Sequence, residues 1–139
     1  MSEHLQPQIQ MNAIQDMMVR LEYVWLDGYT TKNLRSKVRY ENWRIDTNEG
    51  LSRESVLSKC PQWSYDGSST GQADTNSSDI MLNPVRVYAN PLEETDMPSF
   101  FVLCETMTMD TTPEPIESNS RAILRESVSG NKEEYWFAP

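Results

Sequence analysis

The stretch SFFVLCETM, residues 99–107, carries five consecutive apolar residues when Cys104 is counted, with no charge among them. A run this short is too brief for an ordinary helix, and its lack of alternation is that of a strand covered on both faces, so it predicts the central strand of a sheet. Such a strand needs neighbours. In LEYVWLDGYTTKNLRSKVRY the residues Leu21, Tyr23 and Trp25 recur at every second position, an Asp27-Gly28 turn follows, and Leu34, Ser36, Val38 and Tyr40 continue at the same period. That pattern predicts paired strands whose connection is longer than a minimal hairpin. Shorter strand-like pieces are expected at 80–82 and 85–88, punctuated by Pro84 and Pro91. After the proline-rich TTPEPIESN, Ser118 or Asn119 is placed to cap a helix over about 120–129, with Gly130 as its stop. At the other end, Ile14, Met17 and Met18 have loose helical spacing, so residues 1–19 read as a polar arm followed by a short amphipathic helix, and 20–139 as the domain proper. The expected class is α+β, a mixed sheet of four to six strands with one or two helices.

Charge and rare residues narrow the chemistry. The 139 residues fit one domain, and the formal charge of -9 comes from 21 acids against 12 scattered bases. Nucleic acid and anionic membranes both require concentrated Lys and Arg, so neither is expected as a partner. Cys60 and Cys104 are the two cysteines, too few for a disulfide framework, and the composition reads as that of a cytoplasmic protein. The one histidine, His4, lies in the polar arm, which excludes a histidine-based triad or a three-histidine metal site. The first residues lack the basic head and apolar run of a signal peptide, and no span approaches a membrane helix. Acids and hydroxyls remain for any reaction.

Residues 41–79 are rich in Ser, Asn, Asp, Thr and Gly and read as a long irregular segment, the kind of stretch that in a compact domain is functional or disordered. Inside it lies WSYDGSSTGQ, residues 63–72, with a single carboxylate, Asp66, among hydroxyls and glycines. Local chemistry leaves two readings open. Asp66 could merely bond the backbone amides that follow it, as in an Asx-turn. Alternatively, the glycines could let the backbone approach closely and hold the carboxylate for a reaction. Trp63 and Tyr65 could stack on a ligand or anchor the loop. Glu105 and Asp110 read as solvated acids at a strand end rather than metal ligands, and Arg35, Lys37 and Arg39 as polar decoration along one strand face or, alternatively, as a subunit-docking surface or a contact near a neighbouring active site.

Taken in order, EYVWLDG, LRSKVR, P-x-WSYDGSSTGQA, SD-x-x-L-x-PV-x-V, NP, FVLCET and SN-x-R resemble the N-terminal β-grasp domain of glutamine synthetase, nearest its eukaryote-like type II branch, over residues 21–137. Eight ordered positions of unusual composition in YDGSSTGQ make the resemblance specific. It implies a part in the ATP-dependent ligation of glutamate and ammonia through a γ-glutamyl phosphate, at active sites shared between the N-domain of one subunit and the C-terminal domain of the next. By position, Asp66 would help bind ammonium and take its proton, and Ser69 would support the same pocket. Arg121 matches the family's TN-x-R element in position alone. At the end of the chain, EEYWFAP resembles the junction before the first metal-binding glutamates, but Ala138 replaces a glycine and Glu133 and Glu134 are out of register with those ligands. No cofactor is expected in this chain; ATP and Mg or Mn are implied for the C-terminal domain. The resemblance therefore implies a chain inactive alone, with that domain or neighbouring subunits as partners, in a homo-oligomer. The alternative is a non-catalytic β-grasp module that docks on a full synthetase and regulates it.

Overall fold

A computed structural model describes residues 13–92 and 96–130. Five strands form one mixed sheet: β1 (Ile14–Leu26), β2 (Leu34–Asp46), β3 (Trp63–Asp66), β4 (Asp79–Ala89) and β5 (Ser99–Met107), in the order β2-β1-β5-β4-β3. Among the described residues two α-helices accompany them, α1 (Arg53–Lys59) and α2 (Ser120–Gly130). This is the expected α+β class with a β-grasp-like sheet, and SFFVLCETM is its middle strand. β1 and β5 run parallel, with Leu21 opposite Phe100 and Tyr23 opposite Val102, while β3 and β4 are antiparallel. Among the described residues no helix is long and apolar enough to cross a membrane.

The chain divides into two compact units. The first draws on β1 as far as Val24, Ser36–Pro61 and Pro84–Leu103. Its core is the alternating set Val19, Leu21 and Tyr23 of β1 with Trp43, Ile45, Val56, Val87 and Val102, all buried. The period-two pattern thus marks the buried face of β1 correctly. β2 differs: its Val38 and Tyr40 are exposed, and its buried residues, Trp43 and Ile45, sit on the opposite phase further along. Thr47 donates its backbone N–H to the Ala13 carbonyl at 2.7 Å, closing the far end of the β1–β2 pair. The Tyr23 hydroxyl donates to the Pro61 carbonyl at 2.5 Å, so even this buried phenol has its polar end satisfied.

The second unit holds Trp25–Arg35, Gln62–Asn83 and the described residues from Cys104 onward. Trp25, Tyr65, Ile80, Leu82, Cys104 and Ala122 are its buried apolar residues, and the rings of Trp25 and Tyr65 lie 4.5 Å apart, centre to centre. Asn119 caps α2 as the sequence suggested: its side-chain oxygen accepts from Ala122 N–H at 3.1 Å while its amide donates to the Thr106 carbonyl at 3.0 Å. One side chain therefore starts the helix and ties it to the end of β5.

Three expectations are corrected here. Residues 14–19 lie in β1, not in a short helix; β-branching at Ile14 and Val19 and sheet pairing outweigh a loose helical spacing. Residues 1–12 of the expected arm lie outside the described residues, as do Glu133, Glu134 and Ala138. The polar segment 41–79 is not structureless, since it carries the end of β2, helix α1 and β3. Ser52 caps α1 by accepting from Ser55 N–H at 3.1 Å, and Val56 is the residue that the helix buries. Pro84 does not break the strand, and Asp79–Ala89 is one element.

Candidate functional site

β3 ends at Asp66, and Gly67–Thr70 follow as a single 3-10 turn closed by Gly71 at φ +70°, a left-handed conformation that glycine adopts without steric cost. Asp66 is the turn's cap. Its Oδ1 accepts from the Ser68 backbone N–H at 3.0 Å and from the Ser68 hydroxyl at 2.6 Å. The Ser69 hydroxyl donates instead to the Asp66 main-chain carbonyl at 2.8 Å. The local geometry is thus the Asx-turn, and it leaves the Asp66 side chain exposed with Ser69 beside it. The Ser68 hydroxyl and then its N–H hold the Asp66 carboxyl below its ordinary range, so it is an anion at neutral pH. A carboxylate offers about four acceptor sites, and two bonds at Oδ1 leave capacity for a further donor.

The turn is held by what surrounds it. Gly67 N–H donates to the Ser78 carbonyl at 2.6 Å, and Gly28 N–H donates to the Thr70 carbonyl at 2.9 Å. This last contact brings two backbones together: a Cβ on Gly28 would stand 2.4 Å from the Gly71 carbonyl oxygen. Gly28→Ala is therefore expected to destabilise the chain by about 1–3 kcal/mol, the cost of forcing an extra methyl into a packed site; a denaturant midpoint equal to that of the unmodified chain would contradict the close approach.

Asp27, which the sequence marked only as part of a turn, is fully buried. Its carboxylate accepts from Asn33 N–H at 3.0 Å, the Asn33 side-chain amide at 3.2 Å, Tyr29 N–H at 3.3 Å and Arg35 Nε at 3.2 Å. Burial alone would push its pKa up, but the Asn33 donors, Tyr29 N–H and the Arg35 guanidinium together take it below the usual carboxylate value. Arg35 is accordingly more than strand decoration, because it neutralises the carboxylate that organises the 27–35 connection. Arg39 pairs with Glu41 at 2.5 Å on the same strand.

Glu105 is also corrected. It is buried rather than solvated, and it pairs with Arg125 and, at 3.6 Å, with Arg121, one turn apart on α2. Asp110 is exposed, as expected. Among the described residues no three His, Cys, Asp or Glu side chains gather as metal ligands would. Tyr65 is buried against Trp25, an anchoring role for the residue that precedes Asp66. Trp63 is half-buried and borders a small open cavity with Gln62, Ser64, Met81 and Met109.

Fold and site together define a β-grasp-like α+β domain that presents one anionic carboxylate on a capped, glycine-closed turn. The chain is similar to the glutamine synthetase of Streptomyces hygroscopicus, 37% identical over 87% of this chain and 34% of that protein. It is likewise 37% identical to that of Bradyrhizobium diazoefficiens over 85% of this chain and 32% of the relative, and 40% identical to that of Candida glabrata over 88% and 29%. Over most of its length the chain is thus similar to part of the glutamine synthetases, and its extent and fold are consistent with their N-terminal β-grasp domain. It spans about a third of the length of the curated relatives it matches. No family profile matches it.

Proposed function

We propose that this chain supplies the ammonium-binding carboxylate of a composite glutamine synthetase active site, with the remainder of that site on another domain or subunit. The observation that carries the reading is Asp66: an exposed, depressed carboxylate on the YDGSSTGQ turn of a chain related to glutamine synthetases over most of its length. Ammonium is a compact cation with four N–H donors, and an anionic carboxylate beside neutral hydroxyl acceptors such as Ser69 suits it.

Asp66 is well made for holding the cation and poorly made for deprotonating it. Ammonium is far less acidic than a carboxylic acid, and a pKa below the ordinary value near 3.9 widens the gap. Proton removal thus has to be driven by capture of ammonia at an activated acyl group and by exclusion of water when the partner surface closes over the turn. ATP and Mg or Mn enter this reading as ligands of the partner domain. In this reading the described residues contribute to catalysis only together with that partner domain, as part of an oligomer. Cys60 and Cys104 are free thiols, which fits work in the reducing cytoplasm.

The test is ATP-dependent glutamine synthesis and γ-glutamyl transfer by the chain alone and by the chain mixed with the separately produced remainder of a related synthetase. Activity is expected in the mixture, lost when Asp66→Ala replaces the parent chain. Absence of activity in the mixture, with inhibition of an intact synthetase instead, would make the chain a regulatory module.

A further inference from the structure

Gln72 ends the turn with every polar atom of its side-chain amide in use. Its oxygen accepts from the Tyr65 hydroxyl at 2.5 Å and from the Thr70 hydroxyl at 2.8 Å. Its nitrogen donates to the Leu26 carbonyl at 3.1 Å and to the Ser118 hydroxyl at 3.0 Å. One side chain therefore reaches the residue before Asp66, the last residue of the 3-10 turn, the end of β1 and the residue next to the Asn119 helix cap. The bonds of Asp66 to Ser68 and Ser69, by contrast, stay inside the turn and do not tie it to the rest of the fold.

The backbone around Gln72 points the same way. Gln72 N–H and Ala73 N–H both donate to the Gly67 carbonyl, at 2.8 and 3.1 Å, so the chain folds back on the residue directly after Asp66. Burial pushes the Tyr65 phenol well up in pKa, so it remains a donor to Gln72 throughout the ordinary pH range. The four bonds need two acceptor pairs and two N–H groups on one planar group, an inventory that among side chains of this length only a primary amide supplies.

We infer that Gln72 is the positioning residue for Asp66, the group that clamps the carboxylate-bearing turn to β1 and to the start of α2. Its functional meaning rests on Asp66 as the ammonium carboxylate; the positional claim does not. Losing the clamp frees the turn to sample other arrangements, in which Ser68 no longer stays on Asp66 Oδ1.

The experiment is a carboxyl 13C titration of Asp66 by NMR on the full chain, with amide hydrogen exchange at Gly67 and Gln72, for the parent and for Gln72→Leu, Gln72→Glu and the Tyr65→Phe/Ser118→Ala pair. In Gln72→Leu the Asp66 titration is expected to rise to the ordinary carboxylate value, and the two amides to exchange about tenfold faster or more, while the β1–β5 amides keep their protection. Gln72→Glu retains the acceptors for Tyr65 and Thr70 but loses the donor to Leu26, so it should fall between. An Asp66 titration unchanged in folded Gln72→Leu overturns the inference. If Gln72→Leu does not fold, the Tyr65→Phe/Ser118→Ala pair, which removes one bond on each side of the amide, decides by the same criterion. Adding ammonium chloride to the assembled enzyme separates the two claims: Asp66 that responds to Gln72 but not to ammonium sustains the clamp and removes the ammonium reading.

Discussion

Glutamine synthesis by an assembly that includes this chain is expected to fall by about 10²- to 10³-fold when Asp66 becomes asparagine, the size of loss that follows from removing one electrostatic contact at a reacting centre. Asparagine is the informative replacement. Its carbonyl can still accept from the Ser68 N–H and hydroxyl, which Asp66 Oδ1 now does at 3.0 and 2.6 Å, and Asn caps turns and helices about as well as Asp. The fold and melting temperature should therefore stay within error of the parent while the charge disappears. The loss should also appear chiefly in the response to ammonium, with the dependence on glutamate and ATP nearly unchanged. Full activity in the asparagine variant would leave Asp66 as a turn cap and nothing more.

Asp27→Asn should act on stability to a comparable degree. The parent carboxylate accepts four donors while fully buried; an amide there turns its own N–H₂ toward the Asn33 amide or the Arg35 guanidinium, so that donor faces donor and the charge that pairs with Arg35 is lost. Disrupting a buried charge network of this kind is expected to lower the melting temperature by about 10 °C or more at neutral pH. The pH dependence has a definite sign. Because the folded-state pKa of Asp27 is depressed, its contribution is fully present above the unfolded value near 3.9 and is lost as pH falls through the lower folded value. Melting curves of the parent and Asp27→Asn should consequently converge on acidification. A gap that stays constant from neutral pH down to the acid limb would show that the carboxylate's charge is not what the 27–35 connection depends on.

How much of this could be read from the sequence differs between elements. The apolar run at 99–107 and the period-two residues Leu21, Tyr23 and Trp25 identify their strands because burial imposes those patterns directly. Asn119 as a cap was legible for the same reason: its chemistry is local. The failures lie where distant parts of the chain supply the partner. Glu105 sits at the end of a strand, a position that reads as solvated until Arg121 and Arg125 arrive on α2. Gln72 is an unremarked polar residue until Leu26 and Ser118, each 46 positions away, are found on its amide. Helix α1 hid inside a polar stretch because seven residues with a single buried side chain, Val56, carry little periodicity; Ser52 followed by Glu54 was the available signal. Of the site itself, the turn-forming logic of Asp66-Gly67-Ser68 was visible in ten residues, whereas the clamp that holds it was not.

The parallel pairing of β1 with β5 has a consequence for how the chain reaches its native state. Arg20 meets Ser99, 79 positions away in the chain, and the connection between strands so far apart must be closed before their contacts are rewarded. Hairpin neighbours such as β3 with β4 can form early from local sequence, but the middle of the sheet cannot be completed until β5, residues 99–107, has left the ribosome. Folding is therefore expected on the millisecond-to-second scale of proteins dominated by non-local pairing. Until then β1 offers an unpaired apolar edge, and the interval in which it does so is when the nascent chain is most open to misassociation.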